Sequence, residues 1–169
     1  MGFLVCKCRL GRELGLVMKR NKVKTLQNKA YALWKEVCYK KYGKYCHVQK
    51  HASHIRIHHD KIIQVDHCIT RANKYFFFDI KNGLPVCQVC NRAKHYKQKS
   101  VDRAIERLVK QRDPVWYENA VWIDQTGEPN INFSKVWWLE EIILDLKEEL
   151  EELNEMEEKQ TTGTRRKGS

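Results

Sequence analysis

Two stretches, Val65-Asp66-His67-Cys68 and Leu84-Pro85-Val86-Cys87-Gln88-Val89-Cys90-Asn91, decide how this chain folds. The first is led by Ile62, Ile63 and Val65, an apolar, β-branched run that predicts a strand ending at Asp66 and His67. The second follows the chain breaker Asn82-Gly83, and a helix is expected after its Cys-x-x-Cys pair, with Asn91 at its start. Strand, turn and helix in this order give an α+β unit.

Outward from this centre, Tyr75-Phe76-Phe77-Phe78-Asp79-Ile80 is too apolar for a plain loop and is expected in the core. From His47 to Thr70 the pattern is β-like, with Ile55 and Ile57 alternating with polar residues and a possible hairpin turn at Asp60-Lys61. Upstream, Leu26, Ala30, Leu33, Trp34 and Val37 have helical spacing, which predicts an amphipathic helix over 25–42 capped by Thr25. Downstream, a helix starts near Ser100 and ends at Pro114. A last helix runs from an N-cap at Ser134 to about Glu158. Its Leu139, Ile143, Leu146, Leu150 and Leu153 have heptad spacing, which fits either packing on its own domain or a homodimeric coiled coil. The organisation read from the chain is a basic segment over 1–24, a core domain over 25–130, the C-terminal helix over 131–160 and a disordered basic tail over 161–169.

The charge is strongly divided. Residues 1–112 hold 26 Lys and Arg against 7 Asp and Glu, a balance of +19, whereas residues 113–169 carry −8. Clustered cations on one half point to a polyanion, and sequence-independent contact with nucleic acid phosphates is the expected form. No apolar run approaches the ~20 residues that span a bilayer, so no membrane partner is expected. Seven cysteines without secretory features predict reduced thiols or metal ligation in the cytoplasm.

The residue types at the centre suit phosphodiester hydrolysis. That reaction needs a water, a base to deprotonate it and a cation to neutralise the phosphate. His67 can be the base and Asp66 a ligand for Mg²⁺ or Mn²⁺, with Asn91 as second ligand and His95, one helical turn later, as the alternative. Cys87 and Cys90 have the spacing that lets two thiolates share one Zn²⁺. The other two ligands are expected at Cys46 together with His51, His54 or His47, with Cys38 as a further candidate; Cys46 with His51 is the favoured pair. The histidine-rich run His47, His51, His54, His58 and His59 matches no single chelate and reads as a solvated hairpin. Arg71, Arg92, Lys94 and Lys97 are the expected phosphate contacts, with Lys94, His95 and Lys97 near the scissile bond.

The Asp-His pair and the Asn-Gly-Leu-Pro-Val-Cys-Gln-Val-Cys-Asn run resemble the HNH, or ββα-metal, nucleases. Among these the chain is most similar to the phage endonuclease VII family and to the phage lambda NinG (Rap) recombination nucleases, over roughly residues 28 to 155. The resemblance implies a ββα-metal core with a zinc knuckle and flanking helices. It also implies cleavage of branched or structured DNA inside a bacterial host cell, with a homodimer suited to a two-fold junction. By that likeness His67 is the general base, Asp66 and Asn91 hold the catalytic metal, and the cysteines hold zinc. The chain departs from the pattern in lacking a second Cys-x-x-Cys ahead of the Asp-His strand. A sequence-specific homing or restriction-type HNH nuclease and a non-catalytic zinc-stabilised DNA-binding module are the competing readings.

Overall fold

The computed structural model describes residues 7–52, 59–96, 98–127 and 133–165. The chain forms α1 (Lys7–Tyr42), α2 (His47–His51), β1 (Ile63–His67), β2 (Gly83–Cys87), α3 (Gln88–His95), α4 (Lys99–Arg112), α5 (Pro114–Thr126) and α6 (Val136–Arg165). The fold is mixed helix and strand, with the two strands antiparallel and paired from Ile63 opposite Cys87 to His67 opposite Gly83.

Several expectations are corrected. The first helix begins at Lys7, eighteen residues before Thr25, whose hydroxyl donates to the Asn21 carbonyl inside the helix instead of capping it. Residues 47–51 are helical, not β-like, because the Cys46 sulfur accepts from the Gln49 amide and so caps a short turn. Ile55, Ile57, His54 and His58 lie outside the described residues. Pro114 does end α4, but it also starts α5. Asp113 accepts from the Trp116 amide as N-cap, and proline, which has no N–H to leave unpaired, occupies the first turn. The last helix continues past Glu158 to Arg165, into the stretch read as a tail.

The heptad face of α6 is used within the chain. Leu139, Ile143 and Leu146 are buried against Ala30, Trp34 and Val37 of α1, and Val65 and Phe78 complete this cluster. The two helices run in the same direction, with Lys22 paired to Glu140 at one end and Lys40 to Glu157 at the other. Opposite this layer, Val86, Val101, Ile105 and Val109 form a second cluster around the cysteines. The hairpin therefore lies between two packed layers.

The loop joining the strands is held by Asn82, which is fully buried. Its Oδ1 accepts from the Ile69 amide at 2.7 Å, and its Nδ2 donates to the carbonyls of Ile69 and Phe76. One side chain thereby satisfies three backbone groups that have no ladder partner. Phe76 and Phe78 are buried and Phe77 half-buried, as their apolar character predicts, whereas Tyr75, expected in the core with them, is exposed. No described helix is long and apolar enough to cross a membrane.

Candidate metal centre and hydrolytic site

Cys46, His59, Cys87 and Cys90 bring one donor atom each to within 4.8 Å of one another. His59 Nδ1 lies 3.4 Å from the Cys87 and Cys90 sulfurs and 3.7 Å from Cys46 Sγ, and Cys46 Sγ lies 3.8 Å from Cys90 Sγ. A tetrahedral Zn²⁺ with its usual bond lengths places its sulfur and nitrogen ligands about 3.5–3.8 Å apart, so these four residues could hold that ion. The three cysteines are buried. Packed without a cation, their thiols cannot all ionise: hydrogen bonding to Cys90 pulls Cys46 down, and the same shared proton pushes Cys90 up.

Cys46 is thus in the cluster as expected, but its partner is His59, not His51. His51 sits on exposed α2 with its ring facing Tyr45 and His47. His47 is occupied by the Tyr42 carbonyl at 3.0 Å and stacked on Tyr45. Cys38 is a buried residue of α1 itself, its thiol pushed up to about 12 by burial. The pairing of the strands explains His59. Gln88 donates to the Ile62 carbonyl and to Asp60 Oδ1, so the hairpin register continues past β1 and sets His59 beside the first turn of α3. That position depends on the pairing of the two strands, so nothing in the run around His59 alone marks it as a candidate ligand.

Some 630 Å³ of cavity opens at the end of β1, and Asp66, His67, Arg71, Lys94 and His95 all line it. Alternation along β1 sends Gln64 and Asp66 toward α3, whereas Val65 and His67 face α1. Because the strand stops at His67, both catalytic candidates reach the same cavity from opposite faces.

The imidazole of His67 is held on every side. It stacks on Trp34 at 4.3 Å between ring centres, with Phe77 tilted against it at 4.9 Å. Nε2 lies 2.9 Å from the Phe77 carbonyl, which can only accept, so Nε2 carries the proton and Nδ1 a lone pair. Burial, offset in part by that hydrogen bond, pushes the His67 pKa down to about 4. The ring is therefore neutral at pH 7.

Three buried polar atoms in this region have no hydrogen-bond partner among the described residues: Asp66 Oδ2, His67 Nδ1 and Asn91 Oδ1. Asn91 is oriented by Gln64, whose Oε1 accepts from Asn91 Nδ2 at 2.6 Å and leaves the amide oxygen free. Asp66 Oδ2 has the Lys94 ammonium 3.1 Å away as an ion pair, without hydrogen-bond geometry. Buried polar atoms without a hydrogen-bond partner are costly. Asp66 and His67 line the cavity, whereas Asn91 lies outside its lining.

The expected phosphate contacts are spread differently. Arg71 and His95 are exposed on the cavity rim, whereas Lys94 is drawn inward to Asp66 and to the His67 carbonyl. Arg92 is exposed but does not line the cavity, and Lys97 lies outside the described residues. Cys68, its thiol pushed up to about 12 by burial, is no nucleophile at neutral pH. Sequence reading missed Gln64, the stacking partner Trp34, and the far wall of Asp102, Glu106 and Asp124 from α4 and α5.

Comparisons with protein-family models, curated proteins and solved structures find no match to this chain. The geometry of the two centres therefore carries the functional argument.

Proposed function

We propose that this protein is a metal-dependent DNA endonuclease of the HNH type, with branched or structured DNA as its substrate and Zn²⁺ as a structural ion. The single observation that supports this most is the set of orphaned atoms. A carboxylate oxygen that faces only the Lys94 ammonium, an amide oxygen and an imidazole lone pair have no hydrogen-bond partner, and these are the donors that hydrolysis of a phosphodiester calls for. The paired strands and α3 correspond in order to a ββα unit, and the Cys₃His cluster ties the start of α3 to the strands.

Asp66 Oδ2 and Asn91 Oδ1 are hard oxygen donors and would hold Mg²⁺ or Mn²⁺. When bound, that ion supplies positive charge to the phosphate and leaving oxygen. The cavity needs such charge. Asp66, Asp102, Glu106 and Asp124 line it against Arg71 and Lys94, so its own carboxylates would repel a phosphate.

His67 performs the proton transfer. Its Nε2 proton is fixed on the Phe77 carbonyl, so Nδ1 is the atom that accepts a proton from water. The ring cannot turn to present the wrong nitrogen, because Trp34 and Phe77 pack its faces. Negative charge brought in by a phosphate raises its proton affinity from the low value of the empty cavity.

The test is cleavage of four-way junctions, Y-forks and linear duplex by wild type and His67→Ala with Mg²⁺ or Mn²⁺. We expect the variant to lose at least about 100-fold in rate with DNA binding intact. A wild type inactive on all three substrates with both metals would point instead to a binding module.

A further inference from the structure

The division of charge along the sequence does not survive folding unchanged. On α1, Lys22, Lys40 and Lys41 are paired with Glu140, Glu157 and Glu149 of α6, so the acidic half of the chain neutralises part of the basic half. Helix α4 is different. Lys99, Arg103, Arg107 and Lys110 recur at steps of four, four and three, and all four are exposed. These steps set them in one stripe opposite the buried Val101, Ala104, Ile105 and Val109. Among the described residues neither Arg103 nor Arg107 is paired with a carboxylate.

The stripe leads away from the hydrolytic cavity. Arg103, Arg107 and Lys110 line a second groove of about 600 Å³, and Glu106 and Tyr117 belong to the walls of both. From Lys99 to Lys110 the stripe is about 16 Å long at the rise of an α-helix. Tyr117 is half-buried at the junction of the two spaces, and Lys110 lies over its ring at 5.8 Å.

We infer that the Arg103–Arg107 face of α4 is a binding track for the phosphodiester backbone of DNA where it leaves the hydrolytic cavity. The inference deepens the nuclease reading and rests on it for the direction of the strand. Guanidinium groups one helical turn apart can each contact a phosphate, and neither has to give up an internal ion pair to do so. The cations of α1 that are tied to α6 lack that freedom.

The experiment measures binding to a Y-forked DNA in Mg²⁺-free buffer across a salt series, with His67→Ala as the parent chain so that cleavage does not intrude. Each phosphate contact contributes about 0.9 to the slope of log K against log salt on duplex DNA. The double variant Arg103→Gln/Arg107→Gln should therefore lower that slope by about 1.8 and weaken binding at least about tenfold. A control with the same loss of charge, Lys24→Gln/Lys29→Gln on exposed α1, should lower it by less than about half a unit. Equal losses in both pairs would mean a general field and would overturn the track, as would an unchanged slope in the arginine variant. The two readings fail separately. A wild type that cleaves none of the three substrates with either metal removes the nuclease assignment but leaves a slope difference standing, whereas normal loss of cleavage in His67→Ala with no slope difference removes only the track.

Discussion

Gly83 is the position where the smallest change should have the largest effect. It begins β2 opposite His67, and a Cβ placed on it would lie 2.5 Å from Cys38 Sγ, 3.0 Å from Trp34 Cζ2 and 3.1 Å from Val65 Cγ1. Ordinary contacts between such atoms are about 3.5–4.0 Å, so the sulfur would have to move by more than about 1 Å. It has nowhere to go, since Cys38 and Trp34 are both fully buried. Overpacking of this kind costs roughly 1–3 kcal/mol, and confinement on three sides places Gly83→Ala near the upper end. For a chain of this size that is a fall in Tm of about 6–12 °C. The assay is urea unfolding of the zinc-saturated protein, run as a double-mutant cycle with Cys38→Ala. Removing the sulfur clears the closest clash, so the double variant should recover at least about 1 kcal/mol relative to the sum of the single changes. A Gly83→Ala protein within about 0.5 kcal/mol of wild type, or a strictly additive cycle, would refute the reasoning.

Other expectations can be checked on the same protein. His59→Ala should lose tightly bound zinc by elemental analysis and His51→Ala should keep it; the reverse pattern would remove His59 from the centre. Asn82→Ala strands the Ile69 amide and carbonyl, while the Phe76 carbonyl keeps the Asp79 amide, and urea unfolding should show a loss of about 2–4 kcal/mol. If Asp66 holds a divalent ion, Lys94→Met removes the ammonium that competes for it, and Mn²⁺ affinity measured by calorimetry without DNA should rise about tenfold, a change of 1.36 kcal/mol. Cys38 should resist alkylation at pH 8 until the protein unfolds. Its folded pKa of about 12 lies above the ordinary thiol value of 9.0, so the unfolded chain loses its proton first, and stability should decline as pH rises from 9 toward 12. A pH-independent unfolding midpoint in that window would contradict the burial of this thiol.

What could be read from the sequence was local. Asp66, His67, Cys87, Cys90 and Asn91 stand out because their chemistry lies within short runs whose strand, turn and helix are set by neighbours in the chain. His59 was hidden because it becomes a ligand only after β1 pairs with β2, and the many nearby histidines masked it. Pro114 alone reads as a terminator and hides α5, although Asp113 before it supplies the N-cap that makes it a start. The length of α1 was underestimated because Gly11 and Gly15 lower helix propensity. For α6, heptad spacing fits a neighbour within the chain or outside it equally well. Only the fold shows Trp34 and Val37 occupying that face.

Trp34 links the remote parts of this chain to the cavity at the end of β1. Its indole N–H donates to the Asp79 carbonyl at 2.9 Å while its ring backs the imidazole of His67, and it shares a buried cluster with Leu139, Ile143 and Leu146 of α6. The His67 imidazole is thus oriented by a helix that begins more than fifty residues earlier and is itself covered by the C-terminal helix. The short motif is consequently not a portable module. A fragment cut to residues 59–96 would keep each residue that the motif names and lose the surface that aims its imidazole.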